Sequence, residues 1–207
     1  MVRVAIIGTG DQAYALCHLF KNNNSESSGN FLEVTKPGLE KCGVFHDTGI
    51  PLVTLEDAVA RADIVILAIP SFALKSLVSK HITLLKDKIL VDPTNSSVRG
   101  EDLHSILTVT NVRWVKAFND IGAVDVLLNK PFSKTKTPSK MCSRYPEAVE
   151  AVKNLSESSL ALNVKLVPYE RYLQIAQHQE SLGEDWMKAT WVILVVFVLT
   201  ELYAVLR

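Results

Sequence analysis

Short apolar runs recur along the chain, each too brief for a helix and each closed by a residue that stops it. Val2 to Ile7, interrupted only by Arg3, ends at Gly8. Such a run predicts a central parallel strand covered on both faces. A helix is expected over Gln12 to Phe20, then a polar loop from Asn22 to Asn30. Phe31 to Lys36 predicts a second strand, stopped by Pro37-Gly38, and Leu52 to Leu55 a short third one. Glu56 to Arg61 reads as a helix. Asp63 to Ile69, closed by Pro70, is the clearest buried strand in the chain.

The same alternation continues. A helix over Phe72 to His81 precedes a strand at Lys88 to Asp92, and a helix over Gly100 to Leu107 precedes one at Val112 to Ala117. Lys130 to Lys140 is a basic, proline-bearing loop. Tyr145 to Leu162 is amphipathic, with Ala148, Val149, Val152, Leu155 and Leu160 on roughly one face. A strand at Val164 to Val167 and a polar helix over Glu170 to Glu184 follow. Strands separated by helices imply βαβ units, hence an α/β fold with a Rossmann-type, doubly wound, mostly parallel sheet.

The last segment differs in kind. Ala189 to Leu206 is almost wholly apolar, with Glu201 its one charge and Trp186, Trp191 and Tyr203 near its ends. A helix of that length reaches about 27 Å, enough to cross a thin bilayer, and amphipathic aromatics favour the interface. The expected organisation is a Rossmann domain over residues 1–185 and a hydrophobic, membrane-anchoring helix over 186–207. With no signal peptide ahead of the first strand, the Rossmann domain is expected on the cytoplasmic side of the membrane.

Charge narrows the partners. Lys plus Arg and Asp plus Glu number 22 each, so no net field steers nucleic acid toward the chain. The cysteines, Cys17, Cys42 and Cys142, are odd in number and show no CxxC pair, which suits reduced thiols. Histidine spacings match no metal motif, so no metal site is expected.

Chemistry first surfaces in the loop after the opening strand, Gly8-Thr9-Gly10-Asp11-Gln12-Ala13, the GxGxxA form of the dinucleotide fingerprint. Gly8 permits the tight turn, Gly10 lets backbone approach a pyrophosphate, and Ala13 lets helix and strand pack closely. The helix N-terminus supplies unpaired N–H donors for phosphate oxygens. At the end of the second strand stand Thr35 and Lys36, a hydroxyl and a cation suited to a 2′-phosphate, where an NAD enzyme usually places an acid. Glu33 lies inside the strand rather than at its tip. NADPH is therefore the expected nucleotide. The remaining carboxyl-end loops carry Ile69 and Pro70, Asn95, and Ala117, Phe118 and Asn119. They offer amide and backbone groups without an acid–base pair, and no catalytic side chain is expected, because hydride transfer is the cofactor's own chemistry.

Together, GTGDQAYAL, the TKP after the second strand, ILVDPTN and VKAFNDIGA resemble the N-terminal oxidoreductase domain of the STEAP metalloreductases, itself similar to archaeal NADP oxidoreductases that use a deazaflavin. The resemblance implies that Gly8 to Gln12 hold the pyrophosphate, that Thr35 and Lys36 meet the 2′-phosphate, and that Ile69 and Pro70 lie along the cofactor. It also implies that Asn95 and Ala117 to Asn119 border the nicotinamide and a flavin, FAD or FMN. Family members pass hydride from NADPH to the flavin and electrons onward through a membrane haem to metal ions. Lys36 stands where the family has Arg, Cys142-Ser143-Arg144 stands where it tends to have Gly-Asp, and the Asn22–Asn30 loop is longer. The haem-bearing helices have no counterpart in this sequence, so the polypeptide alone is not expected to reduce extracellular metal.

Three readings follow. The first is a membrane-tethered NADPH-dependent flavin reductase, acting alone, as a homo-oligomer or feeding a partner. The second is a catalytically weak, NADPH-binding regulatory subunit of a membrane reductase. The third is a dehydrogenase of the imine-reductase type, which normally needs a further helical domain.

Overall fold

The computed structural model describes residues 2–23, 31–35, 49–95, 103–107, 111–121, 138–160 and 162–172, with only the backbone described at 22–23, 31–35 and 105. Lys36, Cys42 and the hydrophobic segment 189–206 lie outside the described residues, as does most of the helix expected over Glu170 to Glu184, of which 170–172 are described and helical.

The elements in order are β1 (Arg3–Ile7), α1 (Asp11–Asn23), β2 (Phe31–Thr35), α2 (Leu55–Arg61), β3 (Ile64–Leu67), α3 (Ser71–Leu85), β4 (Ile89–Asp92), α4 (Leu103–Ile106), β5 (Arg113–Lys116), β6 (Ser139–Met141), α5 (Pro146–Ser159) and β7 (Val164–Leu166). The first five strands form a parallel sheet in the order β2-β1-β3-β4-β5. The chain runs outward from β1 to β2, then returns across β1 to β3. That reversal creates a switch point between β1 and β3.

The unbroken apolar runs follow from burial on both faces. In β1, Val4 and Ile6 face a core shared with Leu16 and Phe20 of α1 and Val152 and Leu155 of α5. Ala5 and Ile7 face the opposite core with Val59 of α2 and Leu74 and Val78 of α3. Each strand alternates in this way, because successive side chains leave a strand on opposite sides. The expected α5 face matches: Ala148, Val152, Leu155 and Leu160 are buried, and Val149 is half-buried.

Several boundaries differ from the sequence expectation. Leu52 to Leu55 is not a strand: Leu52 is a lone bridging residue, and helix α2 begins at Leu55. The reason is Thr54, whose Oγ1 accepts from the Asp57 backbone N–H at 3.1 Å and so caps the helix. Helix α3 runs past His81 to Leu85, bending there where His81 leaves helical geometry. The basic loop ends in β6, which pairs with β7 in a separate parallel two-stranded sheet. The last strand therefore does not extend the main sheet by an ordinary ladder; an antiparallel bridge between Lys116 and Cys142 joins the two. Among the described residues, no helix is long and apolar enough to cross a membrane.

A charge pair pins the amino ends of β1 and β3. The Arg3 backbone N–H donates to Asp63 Oδ2 at 2.9 Å, and its guanidinium reaches Asp63 Oδ1 at 3.3 Å. Slight burial pushes the Asp63 carboxyl up, but the bonds and charge of Arg3, with Lys88 behind them, hold it below the ordinary carboxylate value. A carboxylate whose pKa drops on folding stabilises above its unfolded pKa of about 4 and ceases to do so as pH falls through the folded value. Asp63→Asn is therefore expected to lower stability at pH 7 by about 0.5–1 kcal/mol, small because the pair is exposed. Urea midpoints should converge with wild type as pH falls below about 4. A deficit of the same size at pH 3 as at pH 7 would remove the charge from this account.

Candidate functional site

The carboxyl ends of β1, β3, β4 and β5 converge on one edge of the sheet, and their loops carry the residues singled out in the sequence. Gly8 leaves β1 with φ of +133°, a backbone conformation that L side chains rarely adopt. A Cβ there would lie 2.1 Å from the Ala68 carbonyl oxygen. Gly8 thus exists for a contact within the protein: it lets the β1 and β3 loops touch at the switch point. Gly10 differs. A Cβ on it would meet no atom within 4 Å, so nothing in the fold itself demands a glycine there. Its backbone lies open at the start of α1, whose first turn closes with Tyr14 N–H donating to the Gly10 carbonyl at 3.0 Å. Ala13 is fully buried, where α1 meets the sheet.

The structure places the other predicted residues around this turn. Thr9 is half-buried and Asp11 exposed. Thr35 ends β2 opposite Ile7 in the parallel ladder, next to the glycine turn, with only its backbone described. Ile69 is half-buried and Pro70 exposed, between the Ala68 contact and the first turn of α3. Gln12 reaches across the sheet edge, its Nε2 donating to the Phe118 carbonyl at 3.2 Å. Phe118 is buried and held at φ of +65°, uncommon for a side chain of this size. Asn95 and Asn119 bind each other reciprocally: Asn95 Nδ2 donates to the Asn119 carbonyl at 2.7 Å, and Asn119 Nδ2 donates to Asn95 Oδ1 at 3.0 Å. Ala117 is buried, its N–H donating to the Asp92 carbonyl at 3.2 Å. Gln12, Asn95, Phe118 and Asn119 are thus joined across three loops.

Beneath these loops lies a network that sequence reasoning missed. Asp92 ends β4 and Lys116 ends β5, directly opposite in register, with Lys116 Nζ 3.2 Å from Asp92 Oδ1. Both are buried, with relative exposures of 1% and 7%. Asp92 Oδ1 also accepts from the Thr94 hydroxyl at 2.6 Å and the Thr94 N–H at 2.9 Å, while Oδ2 accepts the Leu103 N–H at 3.1 Å. Lys116 Nζ donates in addition to the Thr94 carbonyl and lies 3.4 Å from its hydroxyl. The signal was present in the sequence: an acid closes one apolar strand and a base closes the next.

Next to this pair, burial pushes the Cys142 thiol up to about 12, although the Lys116 charge pulls the other way; burial raises Cys17 too. Neither thiol is poised as a nucleophile. Among the described residues, no group of three or more His, Cys, Asp or Glu side chains is placed to hold a metal ion.

Fold and site together define a Rossmann-type domain with its loops gathered at the carboxyl edge of a parallel sheet. Residues 3–96, from β1 to just past β4, match the family model for NADP oxidoreductases that are coenzyme F420-dependent. Among solved structures, the chain is similar to a hypothetical protein from Sinorhizobium meliloti, with 24% identity over 81% of this chain and 85% of that one, at a TM-score of 0.64. It is similar to a putative F420-dependent NADP-reductase from Arthrobacter sp. FB24, with 19% identity over 91% of this chain and 93% of that one, at a TM-score of 0.63. It is also similar to an imine reductase from Myxococcus stipitatus in complex with NADP+, with 16% identity, 95% of this chain, 63% of that one and a TM-score of 0.59. These likenesses establish a shared fold; the metalloreductase resemblance rests on the sequence motifs alone.

The two glycines give opposite expectations. Gly8→Ala drives a methyl into the Ala68 carbonyl at a strained φ and should cost several kcal/mol, on the order of the larger single-site effects. Gly10→Ala should leave the thermal midpoint within about 2 °C of wild type, as a surface change does. Differential scanning calorimetry of both variants decides it, and an unchanged midpoint for Gly8→Ala overturns the assignment of that contact.

Proposed function

We propose that this protein is an NADPH-dependent oxidoreductase that passes hydride to a flavin. The observation that carries the reading is the pair of glycines. One lets the β1 and β3 loops meet, and the other leaves open backbone at the head of a long helix. A pyrophosphate fits that opening, because a helix N-terminus offers N–H donors and a favourable dipole, and a dinucleotide binds across a switch point. NADPH would lie with its pyrophosphate over Gly8 to Gln12 and its 2′-phosphate at Thr35 and Lys36. Its nicotinamide half would run past Ile69 and Pro70 toward Asn95 and Ala117 to Asn119.

NADPH supplies the hydride, so the residues have only to bind, orient and exclude water. Gln12 links the phosphate turn to the Phe118 carbonyl, fixing the distance between the two halves of the nucleotide site. Asn95 and Asn119 form a preformed, mutually bonded pair that would border the nicotinamide. A flavin, FAD or FMN, would stack beyond that pair. The match of residues 3–96 favours a second acceptor, the deazaflavin coenzyme F420. The hydrophobic segment 189–206 would tether the domain to the cytoplasmic face of a membrane, alone, as an oligomer or beside a reductase partner.

Calorimetry with NADPH and NADH tests the nucleotide. Wild type should prefer NADPH, and Lys36→Ala should lose about ten- to a hundredfold on NADPH while changing little on NADH, the worth of one charged hydrogen bond. Equal loss on both, or none on either, removes Lys36 from the site. NADPH oxidation with FAD, FMN or F420 as acceptor then identifies the partner. Tight NADPH binding without turnover on any of them would instead favour the regulatory-subunit reading.

Fractionation of cells expressing the full chain or a deletion of 189–207 should place only the full chain with membranes. Equal partitioning of both into the soluble fraction overturns the tether.

A further inference from the structure

We infer that Lys116 is a positioning residue for the nicotinamide half of the nucleotide, acting through Thr94 and Asn95 rather than by touching ligand itself; the inference rests on the nucleotide reading above. A closed ring of contacts carries it. From Lys116 Nζ the path runs to the Thr94 carbonyl, along one peptide to Asn95, and across the reciprocal amide pair to Asn119. The backbone then returns through Phe118 and Ala117 to Lys116. The ring spans the β4 and β5 loops, and its ammonium is the buried link between them.

Packing alone does not call for a charge at this point. Burying an ammonium costs several kcal/mol, offset only where acceptors converge on it. Three do so here: Asp92 Oδ1, the Thr94 carbonyl and the Thr94 hydroxyl. All three belong to β4 or the turn that follows it. An apolar side chain would fill the volume but, among the described residues, leave the turn at 93–95 tied to the β5 loop by the exposed amide pair, the Ala117 N–H reaching the Asp92 carbonyl before that turn.

The ring also lies on one side of the switch point. Thr35 and the 2′-phosphate position lie beyond β1 on the other, at the opposite edge of the sheet. A disturbance at Lys116 should therefore reach one half of the nucleotide and spare the other.

Calorimetry of the full chain with NADPH and with 2′,5′-ADP, the adenosine half alone, separates the two. Lys116→Met should bind 2′,5′-ADP within about twofold of wild type and lose about tenfold on NADPH, within the range of coupling through contacting residues. Lys116→Arg, which keeps the charge, should recover most of that loss. Asn95→Ala should show the same selective loss. The Lys116→Met/Asn95→Ala double variant should lose no more than the worse single variant, since both act on one contact.

Equal losses on the two ligands, an unaffected NADPH affinity, or additive losses in the double variant each overturn the inference. If Lys116→Met fails to fold, Thr94→Val carries the same test, because it removes the hydroxyl from both Asp92 and Lys116. A smaller NADPH-selective loss supports the inference, and none overturns it. Wild type that binds neither ligand overturns the nucleotide reading and this inference together, whereas any of the variant results above overturns the inference alone.

Discussion

The carboxyl edge of the sheet is organised around one buried ion pair. Asp92 and Lys116 face each other at the ends of adjacent parallel strands, out of reach of water. Such a pair is weak evidence for net stability, since desolvation of both ions consumes most of their attraction. Its effect is geometric. The Asp92 carboxylate gathers the Thr94 and Leu103 backbone N–H groups, and the Lys116 ammonium gathers the Thr94 oxygens. The turn after β4 thereby receives a single shape, and the amide pair above it inherits that shape.

A second constraint operates at the switch point. Where β1 and β3 part to opposite neighbours, their loops approach to the limit of contact, and Gly8 is what permits it. The approach brings the two loops together while Gly10 stays open at the head of α1. Gln12 then spans from this turn to the Phe118 carbonyl. The two halves of the candidate site are joined by that side chain and by the sheet itself.

Much of this was legible in the sequence, for identifiable reasons. A strand buried on both faces is apolar along most of its length, so β1, β3 and β4 stood out as runs such as VAII, IVIL and ILV, and β5 by its place in the alternation. The glycine turn was legible because its spacing reflects backbone geometry, and the α5 face because helical periodicity repeats every few residues. What escaped was non-local or carried by single side chains. Thr54 turned an expected strand into a helix cap, a decision made by one hydroxyl within one turn. β6 lies in a polar stretch and gains its order from β7 and from Asp120, whose carboxylate accepts the Lys140 N–H at 2.8 Å. The Asp92–Lys116 pair was visible only as two charges at strand ends, and their meeting depended on knowing that β4 and β5 are neighbours in matching register. The Asn95–Asn119 bond depended on the same fact.

The small two-stranded sheet has a mechanical consequence. Lys116 and Cys142 exchange both backbone hydrogen bonds, at 2.9 and 3.1 Å, and Val167 N–H donates to the Met141 carbonyl at 2.9 Å. The polypeptide leaving β7 toward the hydrophobic end of the chain is thus stapled to Met141, one residue from the Cys142 backbone that pairs with Lys116. Any displacement of that exit must either break one of these links or carry the floor beneath the amide pair along with it.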